Sequence, residues 1–236
     1  RVEEGRLHAW PVLEDLNRRL WARGDGTYAV PLKLPAPLEP RRTELEAAVL
    51  AAQRRLLDAA KRNRWGRFCE EGFIDRIAVI ETKADRDRVG NQLRETAPAD
   101  PVDPFLAGLL EYRALVVLTP DAAAALHPAF VGNLGWEKLL TMAMTRQLYQ
   151  RIAETDQQYG PNWFREGFAV TLADLPAASM EHARKFDLES IQDGNPPLEP
   201  GVCALLFRIS MDGIPIDRAL ARPGQGIIWV DPDFLK

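Results

Sequence analysis

The sequence predicts an α+β fold, a small sheet followed by a predominantly helical region. Three observations carry that prediction. Ala114-Leu115-Val116-Val117-Leu118 is a short, β-branched apolar run of the kind that fits a strand covered on both faces. Thr43 to Arg64 places Leu45, Val49, Ala52, Leu56 and Ala60 at helical spacing on one stripe. Beyond Pro120, helical patterns follow one another with little strand signal between them.

The elements are justified in order. Arg6 to Trp21 carries Leu7, Trp10, Leu13, Leu16 and Leu20 at helical spacing and stops at Gly24-Asp25-Gly26. Thr27 to Leu34 alternates Tyr28, Val30 and Leu32 as a strand, and Pro31 confines it to a sheet edge. The Pro-rich connector Pro35 to Pro40 leads into the long helix from Thr43, whose Lys and Arg residues form a solvated face. Ile74, Ile77, Val79 and Ile80 predict a buried strand, and Thr82 with Asp85 a capping box for a helix through Arg94. A Pro/Asp-rich loop at Pro98 to Pro104 precedes the strand at Arg113 to Thr119. Helices are expected at Pro120 to His127, Leu134 to Ala153, Asn162 to Asp174 and Ala177 to Ile191. Val202 to Ile209 is ambiguous between helix and strand, and Gly226 to Val230 reads as a closing strand. Three regions result: residues 1–66, helical with an edge strand; 67–176, an α+β core; and 177–236, helical with that closing strand.

Composition excludes several functions. The 236 residues carry 30 Lys+Arg against 34 Asp+Glu, a formal charge of −4 that leaves no basic footprint for nucleic acid. With 46% hydrophobic residues the chain has the makings of a core rather than a disordered tail. No stretch approaches the roughly 18 apolar residues of a membrane span, so no membrane partner is expected. No apolar signal core follows Arg1, which gives a cytoplasmic reading; because the chain begins at Arg rather than Met, an earlier removed targeting segment stays open. Cys69 and Cys203 cannot build a disulfide framework and read as buried small apolar residues. His8, His127 and His182 stand far apart, so no helix-borne metal pair exists; His127 fits a helix C-terminal cap and His182 a helix surface. Gly132-Asn133-Leu134-Gly135 is not a phosphate loop. The six tryptophans, Trp65, Trp136 and Trp163 among them, read as core or interface anchors.

The informative segment is Trp163-Phe164-Arg165-Glu166-Gly167-Phe168-Ala169-Val170-Thr171-Leu172. A carboxylate among Trp163, Phe164, Phe168 and Ala169 must find a partner, because burying it alone costs several kcal/mol. This helix resembles the W-[FL]-x-E-G-x-A-x-[YF] helix of zinc metallopeptidases of the gluzincin kind. Upstream, Glu137 to Leu148 is similar to that family's E-K-L-L-x-H-E-L-T-H-x-L, and more weakly the strands at Ile77 and Arg113 resemble the sheet that precedes the zinc helix. The resemblance implies a metallopeptidase-like small mixed sheet with a zinc-helix-like pair, and Glu166 as the third zinc ligand. Nineteen residues separate Arg146 from Glu166, similar to the short-linker members.

The zinc machinery itself is missing. The positions of the two histidines and the general base are Met142, Arg146 and Ala143, and no histidine lies between His127 and His182. No metal and no cofactor are therefore expected, and the chain is not an active zinc peptidase. Met142 and Arg146 share a helix face with Leu139 and Tyr149, opposite a core stripe of Leu140, Met144, Leu148 and Ile152. Arg146 is expected to take the place of the metal and pair with Glu166, guanidinium to carboxylate. The binding residues are then Arg146, Glu166, Met142, Tyr149 and Trp163. The expected function is a catalytically dead homologue that binds a peptide or protein segment along an inherited sheet edge, where backbone hydrogen bonds supply the affinity. Two alternatives stand beside it. One is a metal-independent peptide-modifying or cyclising enzyme, as in ribosomal peptide maturation, with Glu166 as acid or base. The other is a structural subunit whose groove is filled by its own Gly226 to Phe234 segment.

Overall fold

The computed structural model describes residues 26–63, 74, 76–85, 87–88, 106–109, 114–156, 162–192 and 199–210. The expected helix at Arg6 to Trp21, the loop at Pro98 to Pro104 and the strand at Gly226 to Val230 lie outside the described residues. What is described is a mixed α/β structure in which helices predominate.

Among the described residues four strands form a sheet: β1 (Leu32–Lys33), β2 (Arg76–Ile80), β3 (Leu106–Leu109) and β4 (Ala114–Leu118), in the order β1-β2-β4-β3. β1, β2 and β4 run parallel, and β3 is the antiparallel edge. β2 and β4 pair along their whole length, from Arg76 opposite Ala114 to Ile80 opposite Leu118. Ile77, Val79, Leu115 and Val117 alternate onto one dry face. Ala78, Ile80 and Val116, on the other face, are only half-buried.

Parallel strands need a long crossover, and β1 reaches β2 through α1 (Arg42–Asn63). The Pro-rich connector before it is a 3-10 helix, Ala36–Arg41. The predicted stripe of α1 is buried as drawn, and Gln53 joins it. The Gln53 amide accepts from the Tyr28 N–H at 2.9 Å and donates to the Tyr28 carbonyl at 3.0 Å. Here the expected strand over Thr27 to Leu34 shortens to two residues. In its first half Tyr28 is held by the Gln53 side chain, and the Tyr28 hydroxyl accepts from the Ile74 N–H at 3.2 Å.

Thr82 caps the helical residues after β2 through the Asp85 N–H at 3.1 Å, but the Asp85 carboxylate accepts the Thr82 hydroxyl at 2.7 Å, not its backbone N–H. The box is thus half formed, because Asp is one methylene too short to reach the backbone. After β4, Thr119 caps α2 (Pro120–Leu126), and His127 is its C-cap. The long helix α3 (Trp136–Asp156) then packs against α1 and against α4 (Asn162–Leu172). α4 closes in a Schellman turn: the Leu175 N–H reaches the Val170 carbonyl and the Asp174 N–H that of Thr171, both at 3.1 Å. Asp174 takes the left-handed position, at φ 55°, that glycine usually fills. Three cations converge on this end. Arg55 bonds the Leu172 carbonyl, Lys138 that of Asp174 and Arg208 that of Leu175. Arg55 also pairs with Glu137, so the basic side of α1 is not wholly a solvated face.

Two helical expectations change. The helix expected at Ala177 to Ile191 is two short ones, α5 (Met180–Ala183) and α6 (Leu188–Gln192). Ser179 caps the first and Asp187 the second, so an internal cap interrupts the run. The ambiguous segment near Val202 is a helix, α7 (Pro200–Ser210), capped by the Glu199 carboxylate on the Val202 N–H at 2.6 Å. One buried cluster runs from Tyr28 through the sheet and α3 to Phe207. Among the described residues no helix is long and apolar enough to cross a membrane.

Candidate functional site

The site is built where α3, α4 and α7 meet. α3 departs from the two-faced helix expected: every residue from Leu139 to Tyr149 is buried, so its polar side chains are enclosed along with its apolar ones. Thr145 satisfies its hydroxyl on the Thr141 carbonyl one turn back, at 2.6 Å. Arg146, 6% exposed, points across to α4 and donates from Nη2 to Glu166 Oε2. The other carboxylate oxygen, Oε1, lies 3.5 Å from Arg165 Nη2. Glu166 thus sits between two guanidiniums with only 5% of its side chain exposed. The odd carboxylate of the apolar helix has found cations, one from a neighbouring helix and one from its own.

Aromatic rings pack the same three helices together. Trp163 meets Phe164 edge-on with centroids 5.9 Å apart, and Phe164 meets Phe207 of α7 in the same manner at 5.0 Å. Tyr149 of α3 lies 6.2 Å from Phe164, and Phe168 lies 5.9 Å from Phe207. Such edge and tilted contacts add to the area each ring buries. Met142, Tyr149 and Trp163 are each at most 4% exposed. The five binding residues expected from the sequence are therefore all interior, and they support the region from within the core.

Gly167 explains how α7 comes so close. A Cβ there would overlap the Cys203 carbonyl oxygen and the Phe207 Cβ, and would stand 2.9 Å from the Cys203 carbonyl carbon. Only the absent side chain of glycine lets the α7 backbone lie against α4. Sequence reasoning singled out Glu166 and missed its neighbours Arg165 and Gly167. The signal for Arg165 was its adjacency to a carboxylate needing a partner; Gly167, a glycine inside a helical run, called for a packing reason.

Cys203 faces this region from α7. Burial pushes its thiol well above the usual range, reinforced by the negative charges of Glu166 and Glu199. It is a neutral core thiol and not a poised nucleophile. Cys69 lies outside the described residues. His182 lies on the partly exposed surface of α5, its ring tilted against that of Phe186 with centroids 5.2 Å apart. Among the described residues no group of three His, Cys, Asp or Glu side chains could hold a metal ion.

A separate cavity of about 700 Å³ opens near the carboxyl ends of β1 and β4, lined by Leu38, Arg41, Glu44, Thr119, Asp121 and Trp136 among others. None of the five expected binding residues lines it. Arg41 and Glu44 engage each other across its wall at 2.6 Å, which holds the Glu44 carboxyl below its ordinary range.

Comparison with known proteins identifies no relative: no family model, no curated protein and no solved structure matches this chain.

Proposed function

We propose that this chain is a metal-free pseudopeptidase, a homologue of gluzincin-type zinc peptidases that binds an extended peptide or protein segment without cleaving it. The observation that carries the reading is the buried Arg146–Glu166 pair between α3 and α4. It joins the position of the second zinc histidine to that of the third zinc ligand in the resemblance, so a guanidinium holds together what a dication would hold. A second feature supports it. Among the described residues β3 is an antiparallel edge strand next to β4, and β4 leads by way of α2 to α3. A strand edge offers its unpaired backbone groups to an incoming segment, and that mode of binding needs no metal.

In this reading Met142, Arg146, Tyr149, Trp163 and Glu166 keep the helix pair rigid, consistent with their burial. Enclosure of Glu166 between two guanidiniums favours the supporting role over acid–base chemistry on a bound peptide.

The test restores the ancestral residues. The triple variant Met142→His, Ala143→Glu, Arg146→His should bind zinc stoichiometrically, with Glu166→Gln added to it weakening that binding. A folded triple variant that takes up no zinc would refute the homology. A library of extended peptides, screened against the unaltered protein by fluorescence anisotropy, should yield ligands, and substitution of β3 residues by proline should abolish their binding.

A further inference from the structure

We propose that the cavity near the carboxyl ends of β1 and β4 binds a small organic cation, a primary amine carrying an apolar body. Its volume of about 700 Å³ lies in the range of small-molecule sites, and the carboxyl ends of parallel strands are where open α/β sheets hold their ligands. After Glu44, the residues of α1 that line it are Ala47, Ala48 and Ala51, whose side chains end at Cβ and leave the room unfilled. The lining grades from apolar to charged. Leu134 and Trp136, where the chain enters α3, are buried, and Leu38, Ala48 and Ala51 are half-buried. Arg41, Glu44, Asp121 and Glu137 are all exposed. The cavity thus has an apolar interior and a charged mouth.

The charge of that mouth selects the ligand. Three carboxylates, Glu44, Asp121 and Glu137, line the cavity with one guanidinium, Arg41. Arg41 is engaged by Glu44, to which its Nε and Nη2 donate at 2.8 and 2.6 Å. Glu137 accepts from Arg55 at 3.2 Å. Asp121 is left over: among the described residues its carboxylate has neither hydrogen bond nor ion pair, and it acts on Arg41 only across a distance. An ammonium beside Asp121 gains a charge-assisted hydrogen bond, while an anion meets the excess of carboxylates. The Trp136 indole favours a cation or an apolar ring against it. The site is independent of the proposed peptide-binding edge, since none of Met142, Arg146, Tyr149, Trp163 and Glu166 lines it.

The test follows the Trp136 indole N–H in proton–nitrogen correlation spectra of the unaltered protein, the signal being assigned by its loss in Trp136→Phe. Phenethylamine and tryptamine should shift it saturably at millimolar concentration. Hydrocinnamate and phenethyl alcohol, close to phenethylamine in size but anionic and neutral, should bind several-fold more weakly. Asp121→Asn should weaken phenethylamine binding by about 3–5-fold, the amount an exposed ion pair supplies. Ala51→Phe, which fills the cavity and leaves every charge in place, should abolish it. No saturable shift with either amine, equal binding of the alcohol and the amine, or an Ala51→Phe protein that binds amine as the unaltered one does would overturn the proposal. Should Ala51→Phe fail to fold, Asp121→Asn decides, since unchanged affinity there overturns it as well.

Discussion

Replacing Arg146 by methionine tests the centre of the molecule most directly. Methionine fills much of the volume of the arginine stem, so the loss is the cation and not the packing. Glu166 would be left buried, with Arg165 at 3.5 Å as its remaining cation among the contacts described. Breaking a buried pair from one side costs about 3–5 kcal/mol, and the second guanidinium places this case near the lower end, about 3 kcal/mol. For a chain of this size each kcal/mol shifts the melting temperature by about 2–4 °C, so a drop of about 6–12 °C is expected. The companion variant Arg146→Met with Glu166→Leu removes both charges. It should recover to within about 1 kcal/mol of the unaltered protein, because two apolar side chains replace a pair that had to be desolvated. Urea unfolding at pH 7 with a double-mutant cycle measures the coupling. A single variant that loses under 1 kcal/mol, or a double variant as unstable as the sum of the singles, would refute the pairing argument.

Other substitutions probe the supporting structure. Gly167→Ala should destabilise by about 1–3 kcal/mol despite the better helix propensity of alanine, because its Cβ meets backbone on α7 that no rotamer change can clear. Gly135→Ala, where nothing lies within 4 Å, meets no steric bar and should cost only about 0.5–1 kcal/mol, for a poorer N-cap on α3, in the same urea titration. Asp174→Gly should stabilise by about 0.5–1 kcal/mol by relieving the left-handed residue at φ 55°, since the Lys138 bond to the carbonyl survives; a loss of stability would show that the exposed Lys138–Asp174 contact matters more. Gln53→Leu should cost about 2–4 kcal/mol by stranding both backbone groups of Tyr28, and an unchanged unfolding midpoint would show that segment 27–30 is held by something else. Cys203 should resist alkylation in native protein at pH 8 and react on unfolding, as mass spectrometry would show.

Much of the fold was legible because it is written locally. The stripe of α1, the apolar run of β4 and the proline and threonine at the start of α2 each act within a few residues, through helical spacing or a cap. The break between α5 and α6 was written there too, in Ser179 and Asp187, but an unbroken polar–apolar rhythm from Ala177 to Ile191 masks it. β3 was not legible. Leu106-Ala107-Gly108-Leu109 has no strand preference of its own and becomes one through its hydrogen bonds to β4.

The candidate site divides along the same line. The chain by itself determined that Glu166, set in an apolar helix, required a partner, and the resemblance to the zinc-peptidase helices pointed to Arg146. Tertiary structure alone decided that α3 is buried on every face from Leu139 to Tyr149, that Arg165 reaches the second carboxylate oxygen and that Gly167 admits α7. It also decided that Gln53 would hold Tyr28 and that His127 would meet Glu199. A side chain's need for a partner is set by its own desolvation and shows in its immediate neighbours. Which group meets that need depends on packing between segments tens of residues apart, and no local pattern encodes it.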